Sequence, residues 1–274
     1  MPEATRQGGC AIAVMAKAPR PGQVKTRLVP PLTADAAMAL SASFLRDVTE
    51  NIRLASQDAA ISGYVAYAPA GAERLFDGLL APGTGLILAD ATGDHPAGVR
   101  GFGRSLLNAA TALFGRGHPA VCLLNADSPN LPTDLLRQAA RALAADDDRV
   151  VLGPAEDGGY YLIGMKMPHA HLFEDIDWST SRVAAQTGVR AAQLGLEMVE
   201  LPAWYDVDEP SALRRLAADL TEAGRRAMES GRWRCYPAPA TAACLARLGM
   251  LDPPPARKPA LSTGTAPALP QRSP

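Results

Sequence analysis

The sequence predicts an α/β fold with a mostly parallel central sheet and helices on both faces. Three observations carry this prediction. Short apolar runs alternate with amphipathic helical stretches from Cys10 onward, the helical stretches are long enough to serve as crossover connections, and unusual polar residues recur just after the apolar runs. CAIAVMAK, residues 10–17, reads as a strand buried on both faces. The loop APRPGQVKTRLVPP follows, in which four prolines and Gly22 forbid a regular helix. Thr33 then caps a helical pattern through about Gln57, with Met38, Leu40, Phe44, Leu45, Val48, Ile52 and Leu54 at three- and four-residue spacings.

The alternation repeats. GYVAYAP reads as a strand, AERLFDGLL as a helix, GLILAD as a strand, GRSLLNAATALF as a helix, AVCLLNAD as a strand and PTDLLRQAARALAA as a helix. RVVLGPA and GYYLIGMK are then separated only by a Glu-Asp-Gly segment, a spacing that predicts an antiparallel hairpin or sharp corner. A helix from about Ser181 to Leu194, the strand LEMVELPA and a helix from about Pro210 to Arg226 complete the pattern. Residues 1–228 read as one catalytic domain, 229–250 as an appendage with Trp233 and Tyr236, and 251–274 as a disordered tail rich in Pro and small residues.

Composition narrows the function. With 27 Lys plus Arg against 28 Asp plus Glu, the formal charge of -1 supplies no broad field for a nucleic acid. No apolar stretch approaches the roughly 18 residues that suggest a membrane span, and the first residues do not read as a secretory signal. Cys10, Cys122, Cys235 and Cys244 form no C-x-x-C pair, which fits a reduced, cytoplasmic protein. The four histidines match no zinc-ligand spacing, and no P-loop, G-x-G-x-x-G or G-x-S-x-G motif is present.

In open parallel sheets, ligands bind outside the carboxyl ends of the strands. Four candidate segments fall there. Lys17, Arg20, Lys25 and Arg27 lie in a loop constrained by Pro21 and Gly22; such a cationic loop suits a triphosphate, or is a solvated basic turn. Asp127 ends AVCLLNAD and suits Mg²⁺ or Mn²⁺ beside phosphate oxygens, or a helix cap. Asp206 and Asp208 alternate in YDVD, so they point to one side and suit joint metal coordination, or capping of the next helix. Asp157, Gly158 and Gly159 form either a close approach to ligand or a tight turn, and Trp178 and Thr180 either contact a ligand or pack at a helix start.

The stretches MAKAPRPGQVKTRL, NADSPNLP, VLGPAEDGGYYLIGM, FEDIDWSTSRVAAQT and LPAWYDVDEPSALRRL resemble, in order, the bacterial DUF2064 family, also described as radical-SAM/selenodomain-associated transferase 1 and related to phospholactate guanylyltransferase. The resemblance implies a Rossmann-like GT-A fold of the nucleotide-diphospho-sugar transferase type, with a divalent metal. It places Lys25 and Arg27 on phosphate, in the loop that also holds Lys17, Pro21 and Gly22, and brings Asp127 and Asp208 to the metal with Asp206 beside them. Asp157, Gly158, Gly159, Trp178 and Thr180 would line the acceptor side. The segment GDHPAGVRGFGRSL departs from the family pattern and leaves the role of Arg104 open. The expected partners are a nucleotide, either an NTP or a nucleotide sugar, and a small acceptor; a homodimer stays open. Nucleotidyl transfer is the preferred reaction, beside glycosyl transfer and a catalytically idle nucleotide-binding partner protein.

Overall fold

The computed structural model describes residues 9–229 and 233–251. Seven strands form one sheet in the order β3-β2-β1-β4-β6-β5-β7: β1 (Cys10–Lys17), β2 (Ile61–Ala68), β3 (Gly85–Leu88), β4 (Ala120–Asn125), β5 (Arg149–Pro154), β6 (Tyr160–Met165) and β7 (Glu197–Glu200). All neighbours are parallel except those of β6, which runs antiparallel to β4 and β5. The expected hairpin between RVVLGPA and GYYLIGMK is therefore present. Because β6 is reversed, its first residue, Tyr160, lies at the same edge as the carboxyl ends of the parallel strands.

The helices are α1 (Ala34–Ala55), α2 (Phe102–Phe114), α3 (Thr133–Leu143), α4 (Val183–Gln193), α5 (Pro210–Asp219), α6 (Glu222–Glu229) and α7 (Pro239–Arg247). Thr33 Oγ1 accepts a hydrogen bond from the Ala36 amide at 3.1 Å, the N-cap that the sequence predicts for α1. Along β1, Ala11, Ile12, Ala13 and Val14 are wholly buried. Alternation sends Ile12 and Val14 to a core shared with Leu40, Phe44 and Ile52 of α1 and Leu135 and Leu136 of α3. The small side chains of Ala11 and Ala13 face the opposite core, which holds Leu106, Ala109, Ala110 and Leu113 of α2. Helices thus cover both faces.

Two expected helices differ. AERLFDGLL forms only a 3-10 turn over Glu73–Phe76, because Asp77 is extended and Gly78 adopts φ 68°, which ends the coil after one turn. The helix expected from Pro210 to Arg226 breaks between α5 and α6, where Thr221 Oγ1 accepts from the Gly224 amide at 2.9 Å and restarts the helix. Gly224 also lies so close to the Ala218 carbonyl that a Cβ there would sit 2.2 Å from its oxygen.

The segment expected as an appendage packs into the first core: Tyr236, Ala238, Cys244 and Leu245 are buried with residues of α1. Of the tail expected over 251–274, residues 252–274 lie outside the described residues. Among the described residues, no helix is long and apolar enough to cross a membrane.

Candidate active site

The sheet order places β2 and β3 on one side of β1 and β4 on the other, so the connections leaving β1 and β4 diverge and open a crevice between them. A cleft of about 520 Å³ lies there. Its lining includes Lys17, Lys25, Arg27, Asp127, Asp206 and Asp208.

Asp127 follows β4 by two residues, and Asp206 and Asp208 follow β7, some eighty positions later. Two hydrogen bonds lock these segments together: the Val207 amide donates to the Asp127 carbonyl at 2.9 Å, and Ser128 Oγ donates to the Tyr205 carbonyl at 2.9 Å. Val207 is wholly buried, and the residues on either side of it turn toward the cleft. Neither segment caps a helix: the residue before α3 is Pro132 and the residue before α5 is Glu209, and neither position makes a side-chain cap.

Lys25 occupies the left-handed region, φ 48° and ψ 37°, between the buried Val24 and the turn that buries Leu28. For a non-glycine residue this conformation costs on the order of 1 kcal/mol. The ammonium recovers it through contacts. Nζ lies 2.6 Å from Asp127 Oδ1 and 3.0 Å from Asp208 Oδ1, donates to the Val207 carbonyl at 2.7 Å, and sits 5.2 Å from the centre of the Phe44 ring. The Lys25 side chain is 5% exposed, and its three N–H donors have three oxygens. Burial disfavours the ammonium, but the charges of Asp127 and Asp208 and their hydrogen bonds outweigh it and hold the pKa above the ordinary lysine value. Arg27 is largely exposed, with Nη1 3.7 Å from Asp208 Oδ2.

Asp206 is pushed up to about 6, first by burial and then by the negative charges of Asp157, Asp208 and Asp127. Carboxylates are therefore concentrated here beyond what one lysine neutralises. Two carboxylate oxygens and the Val207 carbonyl converge on one point, presently held by an ammonium. That hard-oxygen set suits Mg²⁺ or Mn²⁺, with the lysine nitrogen as a stand-in cation. Among the described residues, no three carboxylate, histidine or cysteine side chains are grouped for a metal ion.

The other expected site residues are placed differently. Pro21 and Gly22 are exposed and lie outside the cleft lining. Asp157, Gly158, Gly159, Trp178 and Thr180 also lie outside it, although their two segments meet: Ala184 donates its amide to the Gly158 carbonyl at 3.0 Å. Asp157 Oδ1 accepts from the Gly159 amide at 2.8 Å, and Thr180 Oγ1 donates to the Asp177 carbonyl at 2.7 Å, both local turn contacts. Trp178 packs edge-on against Phe102 and Tyr160, with ring centres 5.7 and 6.5 Å away. Those two rings line the cleft; Tyr160 belongs to the AEDGGYY candidate segment, whereas nothing in the motifs singles out Phe102. The available signal for Phe102 was an aromatic residue between two glycines in the divergent GDHPAGVRGFGRSL stretch. Arg104 donates to the Val99 carbonyl at 3.1 Å and is absent from the cleft lining.

The family model described as "Uncharacterized protein conserved in bacteria (DUF2064)" matches residues 51–180. That segment is similar to the family. This agrees with the motif resemblance, while the VKTRL loop and the YDVDEP segment lie outside the matched span. The fold is also that of a protein from Desulfovibrio desulfuricans G20 provisionally assigned as a nucleotide-diphospho-sugar transferase. The two share 26% identity with a TM-score of 0.70, covering 88% of this chain and 95% of that one. More distant likenesses are to CMP:2-keto-3-deoxy-manno-octonic acid synthetase complexed with CTP, at 14% identity and a TM-score of 0.47 over 76% of this chain and 96% of that one. Glucosyl-3-phosphoglycerate synthase of Mycobacterium tuberculosis, in complex with Mn²⁺, UDP and phosphoglyceric acid, has 12% identity and a TM-score of 0.45 over 87% and 78%. Comparison with curated proteins gives no match.

Proposed function

We propose that this chain is a nucleotide-utilising transferase whose preferred reaction is nucleotidyl transfer from an NTP to a small phosphorylated or hydroxylated acceptor. The observation that carries the reading is the meeting of Asp127, Asp206 and Asp208 with Lys25 and Arg27 in one cleft at the carboxyl edge of the sheet. The likeness to the Desulfovibrio protein supports the transferase class. Asp127 and Asp208, with Asp206 beside them, would hold Mg²⁺ or Mn²⁺. Once bound, the metal would supply charge stabilisation to phosphate oxygens.

Arg27 and Lys17, both exposed and lining the cleft, counter the charge of a polyphosphate entering it. Phe102, 47% exposed at the lip, offers a ring face to a nucleobase. An acceptor oxygen attacks the α-phosphorus, its bond to the pyrophosphate oxygen breaks, and pyrophosphate leaves. A second reading, glycosyl transfer from a nucleotide sugar, is favoured by the name given to the Desulfovibrio protein. The products separate the two. With Mn²⁺ and a panel of NTPs, nucleotide sugars and small acceptors, pyrophosphate release is the expected result. Release of a nucleoside diphosphate would select glycosyl transfer, nucleotide binding with no product released would leave the catalytically idle nucleotide-binding partner protein, and failure of every nucleotide to bind would contradict all three.

A further inference from the structure

Lys25 satisfies every hydrogen-bonding need of its ammonium with the three oxygens best placed to receive a divalent cation. Asp127 Oδ1, the Val207 carbonyl and Asp208 Oδ1 lie 2.6, 2.7 and 3.0 Å from its nitrogen. A second cation cannot take the same oxygens while the ammonium stays. Two positive charges held that close would repel strongly at the effective dielectric of a protein surface. Nor can the ammonium meet a phosphate from this position, because it has no N–H left to donate.

We propose that Lys25 is a tethered competitor for the metal seat: divalent cation and lysine ammonium occupy the Asp127–Val207–Asp208 oxygens alternately, and the released ammonium is then free for the phosphates of the incoming nucleotide. The inference deepens the proposed function by giving the site an order of events, and it rests on that reading only for the identity of the phosphate ligand. Two features of Lys25 support exchange over a fixed bridge. Its backbone is held in a left-handed conformation that ordinary lysines avoid, on a loop anchored by the buried Val24 and Leu28 whose residues Gln23, Thr26 and Arg27 are exposed. Its carboxylate partners are themselves part-exposed, at 33% and 39% of their side chains, so a hydrated ion can reach them from the cleft.

The test uses Mn²⁺ alone, with no nucleotide, so it can fail independently of the transferase reading. Binding is followed by loss of the free Mn²⁺ paramagnetic resonance signal in the parent, Lys25→Met and Lys25→Met/Asp127→Asn proteins. Removing the ammonium should tighten Mn²⁺ binding by tenfold or more, and the second substitution should abolish the gain. Equal affinity of parent and Lys25→Met, no Mn²⁺ binding by either at millimolar concentration, or a gain that survives Asp127→Asn would overturn the proposal. A measurement on the parent guards against misfolding of the variants. Acetylation of Lys25 by acetic anhydride, read by mass spectrometry, should be slow without metal and accelerate severalfold with Mn²⁺; an unchanged rate at saturating Mn²⁺ would also overturn it.

Discussion

Gly158 shows how one residue fixes the relation between two segments of the site wall. It adopts φ 91°, and a Cβ at this position would lie 2.2 Å from the Ser181 carbonyl oxygen and 2.6 Å from Ser181 Cα. Gly158→Ala therefore meets both a conformational penalty and backbone overlap, and should destabilise the fold by about 2 kcal/mol or more. The check is the urea midpoint; an unchanged midpoint would mean that the AEDGG and WSTS segments part easily. The need for a glycine in AEDGGYY was legible, but the sequence offered two functions for it, ligand approach or turn. The structure gives it a third, packing against a chain segment twenty-three positions away. Lys25 is a parallel case. Its charge was legible and its partners were not, because the carboxylates that saturate it come from two other strand ends.

At the scale of elements, α7 is tied to α1 by one carboxylate. Asp47 of α1 is 1% exposed and accepts from the Ala240 amide at 3.0 Å and the Thr241 amide at 2.6 Å, filling the first turn of α7. Burial raises the Asp47 pKa above its ordinary 3.8, and the bonds from Thr241 and Ala240 and the nearby Arg46 charge offset this only in part. The folded protein thus holds the Asp47 proton more tightly than the unfolded chain does. This contribution to stability is fully present below pH 3.8 and is lost as pH rises through the folded value. Measured by chemical denaturation from acid to neutral pH, the stability of the parent relative to Asp47→Asn should fall across that window and then level. A rise over the same window would show that the amide bonds dominate. Nothing local in the sequence announces this tie. Asp47 sits in the LRDVTE stretch as one more polar helix residue, and its partner lies 193 positions away. The helix expected at AERLFDGLL fails for the opposite reason: Gly78 is visible in the run, and its left-handed conformation overrides the apolar spacing.

For the whole molecule, strand–helix alternation made the sheet and its two covered faces legible, and the three-residue gap between RVVLGPA and GYYLIGMK made the reversed strand legible too. The candidate site is a property of the assembled sheet. Asp127 and Asp208 were each readable as polar residues after a strand, but their meeting depends on the Val207–Asp127 backbone bond and on the crevice that opens where the connections diverge. The central claim is that these carboxylates bind nucleotide together with a divalent metal, and calorimetric titration of a nucleotide panel with Mn²⁺ into the parent, Asp127→Asn and Asp208→Asn proteins tests it most directly. At least one NTP or nucleotide sugar should bind the parent in a Mn²⁺-dependent manner, and each substitution should weaken that binding at least about tenfold, or about 1.4 kcal/mol, in protein that stays folded at the assay temperature. Variants that bind the Mn²⁺-nucleotide as tightly as the parent would contradict the account and leave Asp127 and Asp208 as ion-pair partners of Lys25 and Arg27.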